Sequence, residues 1–307
     1  MPEMRPIPTV SETQAAACCG DDCCGGEQAR PRPSAVAEIP VAPAADTLAP
    51  GADPRSAVRE KYGEVAQGGS CGCGCCGADA DDDQALAALG YTAEQRAAIP
   101  EGADLGLGCG NPLAHAALQP GETVLDLGSG GGIDCFLAAR EVGPTGRAIG
   151  VDMTPAMIER ARRNREKAGL ANVEFRLGEI EHLPVADASV DAIISNCVVN
   201  LSPEKPQVFR EALRVLKPGG RLVVSDLVLT RELGPELRRN VDLYVGCVAG
   251  ASRKDEYLGL IRDAGFSDVR VMEERGYAVG LDHLPAGSQE REAFAAVTSV
   301  KVRAVKR

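Results

Sequence analysis

Between Thr123 and Leu229 the apolar positions keep two alternating periods. Short continuous apolar runs give way to stretches with an apolar residue every three or four positions. The runs TVLDLG, RAIGVD (ending at Asp152), VEFRLG, DAIISN and RLVVSDLV are bounded by Gly, Asp or Asn and predict buried strands. Between them GGIDCFLAAREV predicts a helix. A second helix opens at Thr154 as N-cap with Pro155 in its first turn, runs to Lys167 and stops at Gly169. A third covers about Lys205 to Leu216, before the turn Lys217-Pro218-Gly219-Gly220. Strands alternating with helices specify an α/β fold, a doubly wound and mostly parallel sheet covered on both faces. Beyond Leu229 the pattern predicts a smaller α+β region. ELRRNVDLYVGCV reads as an amphipathic helix, Ser252 with Asp255 as a capping box for a helix to Ala264, and Gly265 as its stop. DVRVMEE and AFAAVTSVKVRAV read as terminal strands, the second an antiparallel edge.

Ahead of Thr123 the periodicity fails. Residues 1–55 are rich in Ala, Pro, Asp and Gly, and PRPSAVAEIPVAPAADTLAPGADP predicts a disordered tail. Within it, CCGDDCC from Cys18 to Cys24 is either a soft-metal contact or an unstructured tract. VREKYGEVA from Val58 reads as a short helix leading into the thiol-rich GGSCGCGCCG, then the acidic run Asp79 to Asp83 and LGLGCGNPLAHAAL. The expected organisation is a tail over 1–55, a Cys-rich loop with helices over 56–118, a core over 119–229, and C-terminal helices and strands over 230–307.

Composition narrows the chemistry. A chain of 307 residues with 44% apolar residues can bury a core, and its formal charge of −11 without a basic cluster argues against nucleic acid. No apolar run suits a leader or a membrane span, so the expected location is the cytoplasm. In that reducing compartment twelve cysteines point to thiol or metal chemistry and not to a disulfide scaffold. The three histidines, His115, His182 and His283, lack matching ligand spacing.

The first strand runs into Asp126-Leu-Gly128-Ser-Gly130, a turn at which backbone can approach a cofactor closely. Asp152 ends the next strand about 20 residues later, where a carboxylate can accept from both ribose hydroxyls. Dinucleotide enzymes share that geometry. VLDLGSGGG, GVDMTPAMIERAR, GEIEHLPVADASVDAIISN and EALRVLKPGGRLVVSD, in that order, resemble the signature blocks of class I methyltransferases. The resemblance implies S-adenosylmethionine as cofactor and a Rossmann-like core. Gly128 and Gly130 would face its methionine portion beside Asp126, Asp152 would hold the ribose, and Met153 would pack on the adenine. Glu179 and Ile180 would lie at the adenine edge, although the family more often has Asp at the first of these. Asn196 either lines the pocket or caps its strand.

Cys197 follows the fourth strand and Cys247 lies on the helix after the fifth, and either alone is as readily a buried packing residue. YGEVA with its Cys-rich loop, LGLGCGNP, DLGSGGGIDC, SNCVVNLSPEK and VGCVAGA resemble the arsenite methyltransferases in matching order. That resemblance implies trivalent arsenic as the acceptor, held by Cys197, Cys247 and one thiol from the loop, for which Cys71 is taken ahead of Cys73, Cys75 and Cys76. Cys109 and Cys135 read as packing residues, and Tyr244 as pocket lining or core. Trivalent arsenic is soft, prefers thiolate sulfur and keeps a lone pair that can attack a methyl group without a general base. Methylation formally oxidises arsenic, so glutathione or a thioredoxin system is the expected reductant. Monomer is the default state. Two other readings stay open: a methyltransferase for a small organic acceptor such as a quinone or sterol precursor, against which 3% aromatic residues and no Trp weigh, and a metal scavenger with an inactive methyltransferase domain.

Overall fold

The computed structural model describes residues 47–49, 51–68, 82–277 and 286–307. Cys71 and its three loop neighbours, the Cys18–Cys24 cluster and His283 lie outside the described residues. In chain order the elements are α1 (Pro54–Ala66), α2 (Asp82–Ala88), α3 (Ala93–Ala98), β1 (Thr123–Leu127), α4 (Ile133–Val142), β2 (Arg147–Asp152), α5 (Pro155–Ala168), β3 (Val173–Leu177) and β4 (Val190–Asn196). There follow α6 (Lys205–Val215), β5 (Leu216–Leu229), α7 (Pro235–Arg239), α8 (Val241–Val245), α9 (Lys254–Asp263), β6 (Ser267–Gly276), α10 (Gln289–Phe294) and β7 (Val297–Val305).

The strands form one seven-stranded sheet in the order β3-β2-β1-β4-β5-β7-β6. Neighbours from β3 to β5 are parallel, and β7 is antiparallel to both β5 and β6. From β1 the chain winds outward through β2 and β3, then returns to place β4 on the other side of β1. The β1/β4 junction is therefore the switch point beside which a doubly wound sheet binds ligands. Both faces of the sheet are covered. Phe209 of α6 meets Tyr257 of α9 edge to face at 5.6 Å on one, and Phe136 of α4 meets Phe175 of β3 at 5.7 Å on the other. Cys135 is fully buried in the second of these cores.

Five sequence expectations change. Order reaches into the span read as tail: α1 begins at Pro54 with Asp53 accepting from the Arg55 N–H, and Leu48 N–H donates to the Arg239 carbonyl at 2.8 Å. A cap followed by proline at the first helical position is hidden in Pro-rich composition. The segment read as one helix to Val248 breaks at Asn240, whose backbone is extended and whose side chain accepts from Leu243 N–H to start α8. Cys247 consequently lies past the end of α8 and not on a helix. The Lys217–Gly220 turn is absorbed into β5, with a register shift between Val190 and Ala192 of β4. The cap of α9 sits one residue later than expected, Glu256 accepting from Arg253 N–H at 3.3 Å. Finally β7 is internal and β6 is the edge: β7 is buried at nearly every position, whereas alternate residues of β6 are exposed.

No helix among the described residues is long and apolar enough to cross a membrane.

Candidate active site

Two adjoining cavities of about 680 and 500 Å³ open at the carboxyl ends of β1 and β4 and share Leu107, Gly128, Gly130 and Asn196, so they form one groove with two lobes. The floor of the first lobe is Asp152. Gly130 N–H donates to one of its oxygens at 3.0 Å and Thr154 N–H to the other at 2.8 Å, which fixes the carboxylate while each oxygen keeps a further lone pair. Burial raises its pKa. Met153 and Ile180 share this lobe. A side chain at Gly130 would meet no protein atom within 4 Å, so the groove stands open over that residue.

The second lobe is acidic. Asp126 lines it, its carboxyl pushed well above the usual range by burial and by the charge of Asp134. Asp134 accepts from Tyr91 hydroxyl at 2.8 Å and from the Asn196 amide at 3.1 Å, and burial pushes its pKa up to about 6. The Ser129 hydroxyl, buried in this lobe, has no hydrogen-bond partner among the described residues, an unmet polar group of the kind a bound ligand satisfies. Asn196 ties the lobe to the chain ahead of β1, its amide donating to Gly110 carbonyl at 2.7 Å and its oxygen accepting from Cys109 N–H at 3.0 Å.

Of the residues expected to hold a cofactor, Asp126, Gly128, Gly130, Asp152, Met153, Ile180 and Asn196 all line this groove. Glu179 does not line the groove but pairs with Arg55 at 3.3 Å and with Arg59, and the acidic wall residue is Glu181. Sequence reasoning missed Arg55, Val58 and Tyr62, one face of α1 laid along the groove. Their three- and four-residue spacing was the available signal. It also missed Asp134, the second residue of α4.

Cys197 and Cys247 meet at the end of the groove. The Cys247 thiol donates to the Cys197 carbonyl at 2.7 Å, and Cys197 lines the groove wall. Both have left-handed backbone, φ +58° and +63°, which costs an L-residue of order 1 kcal/mol or more and survives only where the surroundings impose it. Cys197 N–H donates to the Ser225 carbonyl at 2.8 Å, Tyr62 hydroxyl donates to Val245 carbonyl at 3.2 Å, and Tyr244 hydroxyl to Leu201 carbonyl at 3.3 Å. The Cys197 thiol is held well above its ordinary pKa by hydrogen bonding with Cys109, then with Cys247, and by burial. For Cys247, hydrogen bonding with Cys197 acts downward, but burial and the nearby Asp226 leave it raised. Cys109 packs against this pair, and its sulfur, that of Cys197 and a carboxylate oxygen of Asp226 lie within 4.8 Å of one another. The Cys71 segment follows α1, whose Tyr62 is anchored two residues before Cys247.

A parallel sheet wound from β1, a glycine turn, an acid ending β2 and a groove at the switch point are the features of a class I methyltransferase. A family model described as a methyltransferase domain matches residues 118–265. The arsenite methyltransferase of Halobacterium salinarum is 52% identical over 239 residues, 74% of this chain and 61% of the relative. That of Homo sapiens is 41% identical over 158 residues, 48% of this chain and 42% of the relative. The crystal structure of an arsenic(III) S-adenosylmethionine methyltransferase from Chlamydomonas reinhardtii superposes with a TM-score of 0.56 at 35% identity, covering 73% of this chain and 72% of that one. The chain belongs to the arsenite methyltransferase family. It spans less than two thirds of the length of these curated relatives.

Proposed function

We propose that this protein transfers the methyl group of S-adenosylmethionine to trivalent arsenic held by Cys197, Cys247 and Cys71. One observation carries the reading: two buried thiols, each in strained left-handed backbone, joined to each other at the end of a groove whose other residues suit an adenosine cofactor. The fixed Asp152 carboxylate suits ribose hydroxyls, Met153 and Ile180 suit an adenine face, and the carboxyls of Asp126 and Asp134 with the unpartnered Ser129 hydroxyl suit the charged amino-acid end. When bound, S-adenosylmethionine supplies an electrophilic methyl group.

The thiols are protonated before the acceptor arrives, because hydrogen bonding and burial raise Cys197, while burial and the nearby Asp226 leave Cys247 raised against the downward pull of its hydrogen bond. That state suits arsenite, which is a neutral hydroxide. Each thiol proton leaves with one arsenite hydroxyl as water while an arsenic–sulfur bond forms, so capture needs no external base. The bound arsenic keeps its lone pair, and holding it beside the groove lowers the barrier through orientation. Small thiols such as glutathione, or a thioredoxin system, return the oxidised product or protein to the reduced state, which fits a cytoplasmic setting and free cysteines at 109, 135, 197 and 247.

The test is transfer of labelled methyl to arsenite, with glutathione present. The intact protein makes methylarsenicals, and Cys197→Ser and Cys247→Ser each lose roughly 100-fold or more, a barrier rise of about 2.7 kcal/mol. Cofactor binding without any methylarsenical product refutes the arsenic acceptor and favours a small organic one.

A further inference from the structure

We infer that a second hollow, on the far side of the sulfur cluster from the cofactor groove, seats the carboxylate of a small anionic thiol, with Lys301 and Arg275 as its anchors. This rests on the thiol reductant named in the reading above and gives it a place on the protein. The hollow is a cavity of about 410 Å³ lined in part by Cys109, Glu273, Arg275, Tyr277, Ser299 and Lys301. These six residues border neither lobe of the cofactor groove.

Lys301 lies on β7 with 5% of its surface exposed, and its ammonium donates to Glu273 at 2.9 Å. Among the described residues that is one bond for an ammonium with three donors, and a buried donor left unmet is costly until something accepts from it. Glu273 does not neutralise the hollow, because the same carboxylate is shared with His115 at 3.3 Å and with Arg275. One carboxylate against two permanent cations leaves a positive wall, in a chain whose formal charge is −11. An anion is the fitting occupant, and a carboxylate can accept charge-assisted bonds from both cations.

The position of the hollow adds the thiol to the anion. A Cβ on Gly110 would lie 3.0 Å from the Lys301 Cε, so the lysine stem lies against the residue that follows Cys109. Cation and cysteine are thus neighbours on one wall. The Cys109 sulfur is within 4.8 Å of the Cys197 sulfur, and Cys197 in turn lines the cofactor groove. The sulfur cluster therefore stands between the two spaces, and a thiol seated in the hollow meets it without entering the groove that suits S-adenosylmethionine. Glutathione carries both the carboxylate that Lys301 and Arg275 call for and a sulfur to present to the cluster. A neutral dithiol carries only the sulfur.

The experiment saturates the full chain with S-adenosylmethionine and titrates it by calorimetry with S-methylglutathione, which keeps the carboxylates and has no thiol to react. Binding without displacement of the cofactor is expected. Lys301→Gln should weaken it roughly tenfold or more. Arg275→Gln, at a side chain 62% exposed and so tolerated by the fold, should weaken it about threefold. In the methylation assay the half-saturating concentration of glutathione should rise in both variants, with no matching rise for dithiothreitol. S-methylglutathione that fails to bind, that displaces S-adenosylmethionine, or that binds both variants as tightly as the intact protein overturns the inference and leaves the acceptor reading standing. A protein that binds S-methylglutathione as expected but makes no methylarsenical with either reductant overturns the acceptor reading and keeps the anion seat.

Discussion

Asp152 carries two backbone N–H groups at once, from Gly130 on one side of the groove floor and Thr154 on the other. Asparagine has one acceptor oxygen and would turn an N–H₂ toward an N–H. Asp152→Asn should therefore cost about 1–3 kcal/mol in the loaded groove, roughly 5- to 150-fold weaker S-adenosylmethionine binding by calorimetry, with arsenite capture unaffected. Equal cofactor affinity would remove Asp152 from the site. This residue was legible because its distance from the glycines is set by one helix and one strand, local geometry that spacing encodes. Cys109 was not, since its partners Cys197 and Ser225 are 88 and 116 positions away and no periodicity records so distant a meeting. Glu179 and Glu181 show the intermediate case: the segment was placed, but Glu179 pairs with Arg55 and Arg59 of α1, whereas Glu181, 3.7 Å from Arg55, is the carboxylate that lines the groove.

At the scale of elements, two glycines near the groove should fail in different ways. A methyl group at Gly110 collides with the Ser225 hydroxyl at 2.2 Å and approaches Lys301 at 3.0 Å, so Gly110→Ala must displace the turn. Overpacking of this kind costs about 1–3 kcal/mol and should appear as a lower melting temperature. At Gly130 the methyl enters open space, and the left-handed backbone at φ +48° adds strain of about 1–2 kcal/mol for an L-residue, so Gly130→Ala should lose S-adenosylmethionine affinity beyond that modest stability cost. The reverse pattern would mean that the groove over Gly130 is not where the cofactor lies. The elements from β1 to β5 were readable because each carries its own period and punctuation. The break between α7 and α8 was not, because Asn240 sits inside a helical pattern, and its extended backbone is supported by the bridge to Thr47 from a stretch whose composition read as disordered.

Across the whole molecule, buried carboxyls set an unusual response to pH. Burial pushes Asp226 to about 7 and Asp134 to about 6, against an ordinary 3.8, so between those values the native state holds protons that the unfolded chain does not. By linkage, stability from these groups rises as pH falls from about 7 toward 4. Glu211 acts oppositely: hydrogen bonding from Arg214 lowers its pKa, and its contribution fades as pH drops through that lowered value. The melting temperature should therefore peak between about pH 4 and 6 and decline toward pH 8, and Asp226→Asn should flatten the alkaline side. A melting temperature that climbs steadily from pH 5 to 8 would contradict this.

The seating of β7 between β5 and β6 has a consequence for biosynthesis. Ser299, which holds the Cys109 carbonyl, and Lys301, against which Gly110 packs, belong to a strand made after β1 to β6. On the ribosome the nucleotide-binding half can assemble from early sequence, but the sulfur cluster cannot be locked until that strand has emerged and threaded into its slot. A nascent chain thus carries thiols with no enclosure, and β7 is the strand that closes them.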